Sequence, residues 1–192
     1  MAAGFDFSWT QFLWNVFIFV GVPGLFGARV VRAVWQSERA DLGGAIPGHT
    51  GGGRLGLWAT GLVASALGFL ACAGWLSWSA DSAGEFRGPG LPAPNKFPTW
   101  QVVACGITVV LACFVAAHLS RWTKAGGLAA AMGTTAGFTT AFAVDASRTI
   151  TSQEGVGLGF SVLGWGIGLG VLMTLRSAWL NSRYARKMPR RH

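Results

Sequence analysis

Five long apolar stretches, separated by polar segments, run through the chain. They cover about residues 12–28, 56–76, 101–118, 125–144 and 155–175. A helix needs roughly 17–25 apolar residues to cross the hydrocarbon core of a membrane, so each stretch is long enough to span it. The sequence therefore predicts an all-α, polytopic transmembrane helical bundle with five spans. We expect residues 1–192 to form a single transmembrane domain that ends in a basic tail, residues 176–192.

The first span has an irregular interior and a basic continuation. Pro23, which two glycines flank, predicts a kink, because proline removes a backbone donor and its ring clashes with the preceding turn. Beyond the span, Arg29, Arg32, Gln36 and Arg39 recur at helical spacing. This spacing predicts a helix that leaves the membrane and runs along its interface.

The basic residues predict the orientation of the spans. If the N-terminus lies outside, twelve of the fifteen lysines and arginines fall on the inside and three on the outside. Lysine and arginine are concentrated in inside loops of membrane proteins, so we expect an N-out, C-in arrangement. The twelve are Arg29, Arg32, Arg39, Arg54, Arg121, Lys124, Arg176, Arg183, Arg186, Lys187, Arg190 and Arg191.

The net charge of +8 points to lipid and not to nucleic acid as a partner. Only 11% of the residues are charged, and the basic ones flank the apolar spans, where anionic lipid headgroups lie. The tail is the candidate contact for such lipids or for an acidic partner subunit. The alternative is that its charges only set the orientation. The candidate residues are Arg183, Arg186, Lys187, Arg190 and Arg191.

Small residues at four-residue spacing predict close helix packing. The chain has 29 glycines, and small residues let helix backbones approach each other closely inside a membrane. Packing within the chain is one interpretation. Glycines on more than one face of the fifth span also leave room for a second protein chain. The candidate packing residues are Ala129, Gly133, Gly137, Ala141, Gly166 and Gly170.

Few polar groups inside the spans could support chemistry. Transporters and membrane enzymes commonly keep ionisable groups there. The hydroxyls from Thr134 to Thr140 are expected to bond to their own helices or to neighbouring ones. Asp145, Arg148 and Glu154, near the ends of the fourth and fifth spans, form a candidate polar site, for which a local ion pair is the alternative.

The sequence contains no nucleophile elbow, phosphate-binding loop or paired metal ligands, and its spans lack deep axial histidines for haem. We therefore predict no catalytic, metal or cofactor-binding residue, and an enzyme is disfavoured. The favoured function is a non-catalytic accessory or scaffold subunit of a larger membrane complex of respiratory, energy-transducing type. The alternatives are a small-solute transporter or membrane substrate-binding component and, third, an interfacial lipid or quinone enzyme. The expected location is a bacterial plasma membrane or a mitochondrial inner membrane.

Overall fold

A computed structural model of the chain describes residues 7–41, 53–80, 97–147 and 153–187. Its regular elements are all helical and give five segments long and apolar enough to cross a membrane, which confirms the five-span, all-α prediction. The chain is thus a multi-pass integral membrane protein. The helices are α1 (Trp9–Val16), a π-helical turn (Phe17–Gly21), α2 (Val22–Asp41), α3 (Leu57–Leu76), α4 (Thr99–Leu119), α5 (Lys124–Ala146) and α6 (Gln153–Lys187).

Two helices extend well beyond their predicted spans. The first span and its basic continuation form one unbroken helical segment, Trp9–Ala40, so the basic residues continue the helix of the span. The last helix continues past residue 175 to Lys187. Leucine, arginine and lysine are good helix formers, and cations are stabilised near a helix C-terminus, so the basic end of α6 stays helical.

A π-helical turn, Phe17–Gly21, ends two residues before Pro23, the residue at which the sequence predicts a kink. The N–H of Val22 donates to the carbonyl of Phe17, five residues earlier. Pro23 has no N–H, and its ring would clash with the carbonyl of Phe19 in a regular α-helix. The wider π turn absorbs this conflict without ending the helix.

Helix α5 lies at the centre of the bundle, although it is the least apolar of the five spans. Its mean hydropathy is 1.2 against 1.6–2.4 for the other spans, yet 61% of its span window is buried, against 11–28% for the others. In a soluble protein the most buried helix is usually the most apolar. The relation is reversed here, because the outer helices must face lipid. The central helix is instead built from alanine, glycine and threonine, which permit close packing.

The closest helix contact in the core joins α3 to α5 through glycine. A Cβ atom added to Gly133 would overlap the carbonyl oxygen of Gly61, and one added to Gly137 would overlap that of Ser65. A Cβ on Gly68 would in turn overlap the carbonyl oxygen of Thr134. The two backbones therefore touch directly, and no side chain larger than hydrogen fits at these positions.

This contact predicts that Gly137→Ala destabilises the fold. The added methyl group must push α3 away from α5, and overpacking of this kind costs roughly 1–3 kcal/mol or more. We expect a lower midpoint of thermal unfolding in detergent. Gly74→Ala, on α3, is the matched control, because a Cβ there meets no atom within 4 Å. Equal midpoints for the two variants would contradict the α3–α5 contact.

Candidate functional site

A buried carboxylate stands at the end of the bundle where α2 ends and α5 begins, here called the Glu38 end. Glu38 on α2 is only 5% exposed. Its Oε1 accepts hydrogen bonds from the backbone N–H groups of Thr123 (3.0 Å) and Lys124 (3.1 Å), and its Oε2 accepts one from Ala125 (2.9 Å). The carboxylate therefore caps the N-terminus of α5, where unpaired N–H groups and the helix dipole favour a negative charge.

Aromatic contacts hold the end of α2 against the short α4–α5 connection. The rings of Trp35 and Trp122 meet edge to face with centroids 6.0 Å apart, and the guanidinium of Arg39 lies 5.5 Å from the centre of the Trp35 ring. The Ser120 hydroxyl accepts a hydrogen bond from the N–H of Trp122 (3.2 Å). The basic segment predicted to lie along the interface thus has one face engaged with the protein.

The segment that precedes α3 joins the same end of the bundle. The N–H of Leu55 donates to the carbonyl of Leu119 (2.9 Å), and the N–H of Arg121 donates to the carbonyl of Leu55 (3.0 Å). These two bonds form an isolated parallel bridge. They tie the start of α3 to the α4–α5 connection that Glu38 also contacts.

A buried amide donates hydrogen bonds to backbone carbonyls at the opposite end of the bundle, here called the Trp9 end. Gln101 on α4 is fully buried, and its Nε2 donates to the carbonyls of Trp75 (2.5 Å) and Trp78 (2.7 Å). Its Oε1 accepts from the N–H of Ala80 (3.3 Å). A donor from a neighbouring helix thereby satisfies carbonyls at the C-terminus of α3, where intrahelical partners are missing.

Sequence reasoning missed both buried caps. Glu38 lies among arginines, in the segment that the sequence predicts to be interfacial. Glu38 follows Trp35 by three residues, so the two side chains share one face of the helix. This shared face is the sequence signal that could have indicated a buried Glu38. Gln101 marks only the start of a predicted span.

The structure separates the predicted small packing residues into two groups. On α5, Gly133 and Gly137 face α3, as described above, and Ala129 and Ala141 also pack within the bundle. On α6, a Cβ on Gly166 would lie 3.9 Å from Cγ2 of Thr135, an ordinary contact with α5. A Cβ on Gly170 would meet no atom within 4 Å.

Other glycines of α6 also face open space. Added Cβ atoms at Gly164 and Gly168 have no neighbour within 4 Å. The side chains of Phe160, Ile167 and Val171, on the same helix, are mostly exposed. Only 17% of the span window of α6 is buried, so this helix presents most of its surface outward.

Some polar side-chain atoms of α5 and α6 have a hydrogen-bond partner in the described part of the chain, and others have none. The hydroxyls of Thr135 and Thr140 donate to carbonyls one turn earlier, Ala131 (2.9 Å) and Ala136 (2.7 Å), as expected from the sequence. Among the described residues, four other buried side-chain atoms have no hydrogen-bond partner. They are Oγ1 of Thr134, Oγ1 of Thr139, Oγ of Ser161 and Nη1 of Arg176.

The remaining candidates lie wholly or partly outside the described residues. Asp145 belongs to α5 and Glu154 to α6, but their side chains are not described, and Arg148 lies outside entirely. The backbones of residues 183–187 are helical, without described side chains, and Arg190 and Arg191 lie outside. The polar site and the tail contact therefore stay predictions.

Within the described ranges, no group of three histidine, cysteine or acidic residues could hold a metal ion. No protein-family model, curated protein or solved structure matches the chain. Its function is therefore inferred from its own geometry.

The capping contact predicts that Glu38→Gln destabilises the bundle. The amide replaces one acceptor oxygen by a donor, so at least one N–H at the start of α5 loses its partner, together with the favourable charge. Hydrogen bonds to charged groups contribute roughly 1.5–3 kcal/mol, and we expect a loss of this order in the free energy of unfolding. Gln36→Ala, at an exposed neighbour on α2, is the control and should change stability by less than about 0.5 kcal/mol. Similar unfolding curves for both variants would show that the cap contributes nothing.

Proposed function

We propose that the chain is a non-catalytic accessory or scaffold subunit of a larger membrane complex, of energy-transducing type, in a bacterial plasma membrane or a mitochondrial inner membrane. The observation that carries this proposal is a set of glycines in the interior of α6 that have no described neighbour, Gly164, Gly168 and Gly170; Gly155, in the first turn of the helix, shares this property. They supply close-approach positions that no described residue of this chain occupies.

The α5 glycines explain why the open α6 glycines matter. A glycine in a helix interior costs about 1 kcal/mol relative to alanine in a soluble helix. At Gly133 and Gly137 this cost is offset by direct backbone contact with α3. The open positions on α6 have no such compensation within the described chain, and a helix of a partner subunit packed there would provide it.

The proposal predicts that the triple variant Gly164→Leu, Gly168→Leu and Gly170→Leu loses its partner subunits. Gly164 and Gly168 lie one turn apart on one face of α6, and Gly170 lies on another, so the three leucines fill the open positions on both faces that a partner helix could approach. No described atom of the chain lies within 4 Å of an added Cβ at these positions. Native mass spectrometry after mild detergent extraction should show stoichiometric partners with the unmodified chain and their loss from the variant.

Gly74→Leu, at an open position on α3, is the matched control and should keep the partners. An unmodified chain that purifies without partner subunits would contradict the accessory role. So would a triple variant that folds normally and keeps every partner.

A small-solute transporter or membrane substrate-binding component is the second candidate. It is favoured by Thr134 and Thr139, whose buried hydroxyls have no hydrogen-bond partner among the described residues and could line a polar path. Native mass spectrometry followed by reconstitution distinguishes the two functions. A chain that purifies without partners and moves a solute in vesicles supports transport.

We further propose that the N-terminus faces outward and that the Glu38 end lies inside the membrane-bounded compartment. The described residues at the Trp9 end include no lysine or arginine. Those at the Glu38 end include Arg29, Arg32, Arg39, Arg54, Arg121 and Lys124. This asymmetry supports the orientation through the preference of basic residues for the inside.

The orientation predicts opposite accessibility of cysteines introduced at Ser8 and Arg54. Cys72, Cys105 and Cys113 are buried and should give little background labelling. A membrane-impermeant maleimide added to intact cells or organelles should label Ser8→Cys at once and Arg54→Cys only after permeabilisation. The reverse pattern would establish the opposite orientation.

A further inference from the structure

An apolar groove runs between α4 and α6. It has a volume of about 400 Å³ and is lined by Val103, Gly106, Ile107, Val110, Leu111 and Trp165. More than half of the surface of Val103, Ile107 and Leu111 is exposed, so the groove opens on the face of the bundle that contacts lipid. Its lining holds no charged side chain and fits a hydrocarbon chain.

A guanidinium group lies at the Glu38-end continuation of this groove. Arg176 comes eleven residues after Trp165, about three helical turns, and therefore shares its face of α6. It lies near Cys113, the buried residue three positions after Val110 on α4. Arg176 therefore lies beyond the Glu38-end limit of the groove, on the face of α6 that Trp165 shares.

One nitrogen of the Arg176 guanidinium lacks a hydrogen-bond acceptor in the described part of the chain. Its Nη1 is buried without a hydrogen-bond partner among the described residues, although the side chain as a whole is partly exposed. Helix α4 contains no acidic residue, and the only one on α6, Glu154, belongs to the Trp9 end. Glu38 already accepts three backbone hydrogen bonds at the start of α5. Among the described side chains, these helices therefore offer Arg176 no free acidic partner; Asp41, at the end of α2, has no described side chain.

We propose that the α4–α6 groove binds an anionic phospholipid, with one acyl chain in the groove and the phosphate on Arg176. Trp179, one turn further along α6 and half exposed, suits the level of the membrane interface, where tryptophan is favoured. Binding requires a rotamer change of the long side chain that moves Nη1 from its buried position to the mouth of the groove, where the planar fork can bind two phosphate oxygens.

The charge at this end selects an anionic lipid over a zwitterionic one. Arg29, Arg32, Arg121 and Lys124 lie at the same end of the bundle as Arg176. Each basic residue near the membrane surface attracts anionic headgroups, and the net charge of the chain is +8. Apolar contact in the groove then positions the acyl chain, and Arg176 forms the specific bond to the phosphate.

Native mass spectrometry of the full chain, released from nanodiscs containing equal amounts of phosphatidylglycerol and phosphatidylcholine, tests this site. The unmodified protein should retain one phosphatidylglycerol in preference to phosphatidylcholine. Arg176→Gln should lower the retained fraction about tenfold, the effect of losing one charge-assisted hydrogen bond. Arg176→Lys keeps the charge without the fork and should retain an intermediate amount.

Two further variants separate the parts of the site. Arg32→Gln removes an exposed charge at the same end and should lower retention far less than Arg176→Gln, because it weakens only the general attraction of anionic headgroups and removes no bond to the phosphate. Gly106→Leu fills the groove, where a Cβ would already lie 3.7 Å from the Trp165 ring, and should reduce retention with Arg176 intact. Thermal unfolding of each variant reports whether it is folded.

Three results would overturn the proposal: equal retention of the two lipids, equal loss in Arg32→Gln and Arg176→Gln, or unchanged retention in folded Arg176→Gln or Gly106→Leu protein. Lipid retention is measured on the isolated chain, so its outcome is independent of whether partner subunits are found.

Discussion

The direct contact between the α3 and α5 backbones is the constraint on which the rest of the bundle depends. In lipid, helices gain nothing from hiding apolar side chains from each other, so their association depends on close packing. Gly61, Gly68, Gly133 and Gly137 bring the two helices within backbone distance. With α5 fixed in this way, α2, α4 and α6 pack on its remaining faces.

A buried central helix creates a second requirement at its ends. The first N–H groups and last carbonyls of a helix have no intrahelical partners, and burial removes water as a substitute. Glu38 supplies an acceptor at the start of α5, and Gln101 supplies a donor at the end of α3. Each cap comes from a different helix, so the same bonds that satisfy the backbone also fix α2 against α5 and α4 against α3.

The five spans could be predicted from the sequence because apolar runs of roughly twenty residues are characteristic of helices that cross a membrane. The sequence also indicated small residues as packing positions, but spacing alone could not tell Gly133, which touches α3, from Gly170, which has no neighbour. That distinction depends on the rotation of each helix about its axis. Glu38 was missed for a related reason: a carboxylate among arginines resembles a surface charge until a distant helix terminus is brought against it.

The features left without a partner are concentrated on α6. Four of its glycines, Gly155, Gly164, Gly168 and Gly170, face open space, and Arg176 has a buried nitrogen without an acceptor among the described residues. By contrast, the exposed surfaces of α3 and α4 are mainly apolar side chains, which lipid tails satisfy without specificity. Gly24 on α2 and Gly74 on α3 also face open space, but among the described residues only α6 combines several open glycines with a buried cation nitrogen that lacks an acceptor. We therefore propose that α6 carries the surface by which this bundle recognises other molecules, a partner helix on its open glycines and an anionic lipid beside α4.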